Sequence, residues 1–183
     1  MSEPIFDHCY PSTTGISQRL AIAIRHIEFA RQYSRSLLVD LDDDEWFWSP
    51  DQFTTHIAWQ TGHLAMSQYG LTLFRQRGRD LSVDKELMTS KFRKLFMRGT
   101  QPVAEREAYP CPQEILAALD RVHEQMRKEI LTFDGDQLDE PIDPPHSAYG
   151  TRYGALLFAG DHEMIHAGQI GMLRRLMGKP PLR

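Results

Sequence analysis

The chain has 183 residues and a formal net charge of −4, enough for one sizeable core and, with no basic run, a poor match to a nucleic-acid partner. Its two cysteines, Cys9 and Cys111, lie far apart and make neither a disulfide framework nor a cysteine zinc site. No apolar run reaches the length of a membrane span, and residues 1–8 lack the basic start and apolar core of a signal peptide, so the expectation is a single cytoplasmic domain over residues 1–183, with no membrane partner.

Residues 1–15, punctuated by Pro4, Pro11 and Gly15, read as an irregular arm that leaves His8 in solvent. The first helix is expected over 16–40. Ile16, Leu20, Ala23, Ile27, Ala30, Ser34, Leu37 and Leu41 form its inward stripe. Arg19, Arg25, Arg31 and Arg35 fall outside that stripe and read as a solvated face, and His26 beside it has a structural role. The acidic run from Asp40 to Glu45 lacks the glycine and spacing of a calcium loop. It is a connector, anchored by Trp46-Phe47-Trp48.

A second helix is expected from Pro50, with Ser49 as N-cap and Gln52 closing a capping box. Thr54 and Thr55 are later alternatives, and the helix runs to about Arg77, before Gly78. His63 sits mid-helix among apolar residues, with Gly62 and Ala65 allowing another helix close. His56 lies two turns away and cannot share a site with it. Residues 78–111 are irregular, with a short helix within 80–94, and read as a long connection of the kind that walls or covers a site. Cys111 starts the third helix, over 112–133, whose stripe is Ile115, Leu119, Val122, Met126 and Ile130. His123 flanks that stripe and is a reserve ligand. Residues 134–150, rich in Pro, Gly and Asp, form a loop that carries His146.

Thr151 caps the last helix, which ends near Met177 before Gly178. Arg174 and Arg175 complement its negative end. Ala155, Ala159, His162, His166, Gln169, Leu173 and Leu176 share one face, so His162 and His166 point inward one turn apart and can grip one ion. Gly160, Gly168 and Gly171 lie beside that line, as close approach of another helix or subunit would require. No strand-period segment is present. Four long helices imply an all-α four-helix bundle with one long crossover between the second and third.

His162-Glu163-x-x-His166 is also the zincin spelling. A zincin needs a later ligand, and Ala167 to Arg183 contains no His, Asp or Glu. A zincin also sits beside a sheet, so that reading is set aside. The third ligand must come from elsewhere, and His63 is the best placed. Three neutral imidazoles leave a position open to water or substrate, as in catalytic zinc. Gln169 would be a hydrogen-bonding group behind the ligands. Glu163 is the one weak candidate for a catalytic base, against pairing with an arginine of a neighbouring helix.

His162-Glu-Met-Ile-His166-Ala-Gly-Gln-Ile with Leu173-Arg-Arg-Leu-Met-Gly178, and Ile57-Ala-Trp-Gln-Thr-Gly-His63-Leu-Ala, resemble the closing and second-helix motifs of the DinB-like (DinB/YfiT-like) superfamily. Lys91-Phe-Arg-Lys-Leu-Phe with Gly99 and Pro102 suits the connector of one branch. The resemblance spans roughly residues 16–182. It implies an up-up-down-down four-helix bundle, often a homodimer, with a divalent metal, typically zinc or nickel, on His63, His162 and His166. Relatives include bacillithiol-using thiol-S-transferases and a mycothiol-dependent maleylpyruvate isomerase. A metal-dependent enzyme acting on a small molecule, with a low-molecular-weight thiol or a water activated by the metal, is therefore expected. The alternative is a non-catalytic, metal-stabilised dimeric bundle with a stress-related or binding role.

Overall fold

The computed structural model describes residues 16–50 and 55–182. The expected N-terminal arm with His8, and the Asp51, Gln52 and Thr54 of the expected second-helix start, lie outside the described residues. Helix α1, Gln18–Ser36, opens behind Ser17, whose hydroxyl accepts the Leu20 N–H. It buries Leu20, Ala23, Ile24, Ile27 and Ala30. The acidic run forms the short helix α2, Asp43–Phe47, with Asp42 and Glu45 closing a capping box. Its carboxylates complement a helix N-terminus and pair with Arg106 and Lys179, and Trp46 is buried beneath it.

Helix α3, Ile57–Gln68, starts later than expected, because Ser49 and Pro50 are not helical and His56 is the cap. The His56 Nδ1 accepts the Trp59 N–H, doing the work of a serine or asparagine side chain. The same helical course continues as a π-helical turn, Tyr69–Phe74, and then α4, Arg75–Arg77. Gly78, at φ +78°, ends it. In place of one short helix, the connection holds two. These are α5, Leu81–Leu87, capped by Asp80, and α6, Ser90–Phe96, capped by Thr89. Helix α7, Pro112–Glu129, follows Cys111, and α8, Arg152–Leu176, is capped by Thr151 and stopped at Gly178.

The loop before α8 contains a small antiparallel hairpin, β1, Pro141–His146, and β2, Tyr149–Thr151. This corrects the expectation of no strands. Three prolines in β1 remove ladder donors and hide any alternation from the sequence. No helix among the described residues is long and apolar enough to cross a membrane.

Contacts between the long helices set their directions. Arg19 lies over Tyr153, His26 meets Asp161 and Arg174 meets the Leu37 carbonyl, so α1 and α8 run parallel. Gln60 meets His166 and Gln76 meets the Arg152 carbonyl, so the α3 course runs opposite to α8. Gln68 meets His123 and Arg77 meets Glu129, so α3 and α7 run parallel. The order is up-down-down-up, which corrects the expected up-up-down-down. Parallel neighbours cannot be joined by a tight turn, and the chain returns between α3 and α7 through residues 78–111.

Arg31 corrects another expectation. It is 4% exposed, not solvated. Its guanidinium bonds Glu163 of α8 at 2.7 Å, Gln68 at 2.8 Å and the Leu119 carbonyl at 3.2 Å. Gln68 passes the chain of bonds to His123, whose Nε2 lies 3.3 Å from Glu28. All four long helices thus meet in one buried polar network. At Gly160 the His26 ring of α1 lies over the backbone, where a Cβ would collide with the imidazole. At Gly168 and Gly171 a Cβ would meet nothing within 4 Å.

Candidate metal centre

Antiparallel α3 and α8 place residues 63 and 162–166 at the same level. The ligand atoms of His63, His162 and His166 all lie within 4.8 Å of one another. The Nε2 atoms of His162 and His166 are 3.3 Å apart. Tetrahedral zinc with Zn–N of about 2.1 Å requires about 3.4 Å along such an edge.

Two of the rings are oriented from behind. His63 Nδ1 donates to the Phe96 carbonyl at 2.8 Å, and His166 Nδ1 donates to Gln60 Oε1. Each bond puts the ring proton on Nδ1 and leaves Nε2 with a lone pair directed into the shared space. Two imidazole lone pairs directed into one space, with the His162 Nε2 3.3 Å from one of them, offer nitrogen ligands to a cation placed between the rings. The donor set therefore fits a divalent ion with nitrogen ligands. The His63 ring also stacks on Trp59, centroids 4.9 Å apart and 5° from parallel.

Electrostatics act in the same direction. Burial pushes all three imidazoles toward the neutral form that a ligand must have. With repulsion from neighbouring histidines added, His162 is lowered to about 4 and His166 to about 3. His63 and His166 are buried, and His162 is half-buried toward solvent.

Outside the ring of ligands, Gln169 is exposed, and its side chain exerts a minor upward pull on the His166 pKa against burial. Glu163 turns away from the histidines to Arg31 and to the Ser34 hydroxyl. His123 is held between Gln68 and Glu28 and is not one of the three converging histidines. In the sequence Gln60 is only one residue of the second-helix motif, and the Phe96 carbonyl has no side-chain signal at all. The π-helical turn follows Ser67, whose hydroxyl is 3.2 Å from His63 Nε2, and such turns recur at functional sites.

A cavity of about 460 Å³ adjoins His63 and His162. Ser67 and Leu71 line it from the α3 course, and Tyr149 and Phe158 from the hairpin and α8. The histidine cluster thus has one face in the core and one on a cleft.

None of the curated proteins matches the chain at a significant level. A conserved protein from Enterococcus faecalis, known from its crystal structure, has a similar fold. The TM-score is 0.60 at 19% identity, covering 87% of this chain and 98% of that one. The sequence profile of the DinB superfamily matches residues 26–170. That span holds all three converging histidines, and on this match the chain belongs to the DinB superfamily.

Proposed function

We propose that the protein is a metal-dependent enzyme whose divalent ion, zinc or nickel, is held by His63, His162 and His166 and reached from the adjoining cleft. The observation that carries this is the convergence of three neutral imidazoles, two with Nδ1 bonded from behind, at the wall of a cavity. Bound there, such an ion acidifies a water or a low-molecular-weight thiol. The chain's own residues hold the ligands. Phe96 and Gln60 fix two rings, Trp59 stacks on His63, and Phe158 lies beside His162. Leu71, Phe74 and Phe158 offer a substrate apolar surface and exclude water from the ligands' flank. The reaction class is transfer to or from a thiol, or hydrolysis.

The helix directions and the return through residues 78–111 support a single four-helix bundle with a crossover between its second and third long helices. A homodimer belongs to the same proposal, and Ile165, Met172 and Leu176, exposed along α8, are in keeping with it. The non-catalytic alternative requires a closed shell of ligands. His123, its fourth-ligand candidate, is engaged by Gln68 and Glu28.

Elemental analysis of protein purified without chelator tests the proposal. About one equivalent of a divalent transition metal is expected, falling severalfold in His63→Ala. A metal-free preparation overturns it.

A further inference from the structure

The cavity has a second end that metal binding leaves unexplained. Its far corner gathers Arg75 of α4, Arg98 just beyond α6, and His146 at the end of β1. Arg75 donates to the carbonyls of Asp143 at 2.8 Å and Pro144 at 3.2 Å, which seat it against the hairpin without neutralising it. Arg98 Nη1 lies 3.3 Å from His146 Nε2. Among the described residues no carboxylate pairs with either arginine, although the chain carries 25 acidic residues against 21 basic ones.

His146 shows that this corner is short of acceptors. Its Nδ1 faces the Ala148 N–H at 3.1 Å and its Nε2 faces the Arg98 guanidinium. A neutral imidazole has one lone pair and one N–H. It can accept from one of these donors and must point its own proton at the other. An oxygen anion entering between Arg98 and His146 relieves that contact by accepting from both, and Arg98 presents the planar fork that suits such a group.

The path from this corner to the histidines is apolar. His146 stacks on Tyr149, centroids 4.5 Å apart, Tyr149 meets Phe158 at 5.4 Å, and Phe158 meets His162 at 5.6 Å. One cavity therefore has cations at one end, aromatic rings in the middle and the histidine cluster at the other. Its volume of about 460 Å³ is that of a small-molecule site.

We infer that this cavity takes a small molecule with an anionic oxygen-bearing group, a carboxylate or a phosphate, bound between Arg98, His146 and Arg75. The molecule's apolar stem lies along Tyr149 and Phe158 and delivers its other end to the histidines. The inference rests on the proposed metal site only for which end of the molecule reacts.

Calorimetric titration of the full chain, as purified, with 3-phenylpropionate, its neutral amide and phenyl phosphate is the test. The acid or the phosphate binds, the amide binds at least about tenfold more weakly, and Arg98→Met weakens the anion by about tenfold. Arg98 is exposed, so that substitution leaves the core untouched. The ratio of acid to phosphate names the anion. His63→Ala changes anion affinity less than about threefold, because the anion end does not touch the metal ligands. An amide that binds as well as the acid, an Arg98→Met variant with wild-type affinity, or no binding of any probe at millimolar concentration overturns the inference. Binding lost in His63→Ala but kept in Arg98→Met puts the anion on the metal, which overturns this inference and leaves the metal site standing. Anion binding by a chain that purifies without metal does the reverse.

Discussion

At the scale of single residues, two buried side chains act through the protons they hold or refuse. Gln60 accepts from His166 Nδ1 and donates to the Thr55 hydroxyl at 2.7 Å, so its amide is pinned and its oxygen faces the ring. Gln60→Leu fills the same space but removes the acceptor. Metal affinity is expected to fall roughly 10- to 100-fold with the fold intact, as read by competition with a chelating dye, and an unchanged affinity removes Gln60 from the support of the site. His56 is 2% exposed, and burial lowers its pKa to about 4, against a smaller upward pull from the Val103 carbonyl. The unfolded chain, at 6.5, binds the proton more readily. The contribution of neutral His56 to stability is therefore complete above about pH 6.5 and is lost as pH falls to about 4, by at most about 3 kcal/mol. His56→Asn keeps a capping acceptor but cannot titrate. Urea denaturation between pH 7 and 4 is expected to show a shallower loss in the variant, and equal slopes refute the assignment.

At the scale of elements, the question is what sets the rotation of α8. Periodicity places His162 and His166 on the inward face but leaves Glu163 with either an edge role or a structural one. In the fold Glu163 is 2% exposed and faces α1, where Arg31 and Ser34 hold it, so the same turn of helix aims its neighbours at α3. Removing one partner leaves a buried charge unmatched. Glu163→Ala is expected to lose roughly 3–5 kcal/mol, and the double variant Arg31→Met with Glu163→Leu to recover most of it while still holding metal. A double variant as unstable as the single one, in chemical denaturation, sinks this account. Arg31 was misplaced from sequence for a physical reason. An amphipathic stripe identifies which residues are apolar, whereas a charge on its border is buried or solvated according to a partner, here 132 residues away. The start of α3 was misplaced similarly, since Ser49-Pro50 has a helix-opening composition but the donors that needed a cap were met by His56.

At the scale of the whole molecule, the site joins α3 and α8, and its support comes from the connection as well, through the Phe96 carbonyl. A metal held there, as proposed, would bind the folded chain alone. At a hundredfold excess over its dissociation constant it would add about 2.7 kcal/mol, or about 5–10 °C in Tm for a chain of this length. Chelation is expected to lower Tm by that amount in the wild type and to do nothing to His63→Ala, as followed by circular dichroism. A wild type indifferent to chelator contradicts the metal site. The amino-acid order by itself determined the helical character, the long stretches that become α1, α7 and α8, and the inward line of His162 and His166. These are local consequences of spacing, capping and side-chain polarity. It also singled out His63, as an imidazole on an apolar helix flanked by small residues. Only the tertiary structure decided which long helices run parallel, and therefore that residues 63 and 162–166 stand at one level. Only it set Gln60 and Phe96 behind the rings and drew Arg75, Arg98 and His146 into one corner, because each of those meetings joins segments distant in sequence whose approach depends on how the helices cover one another's apolar faces.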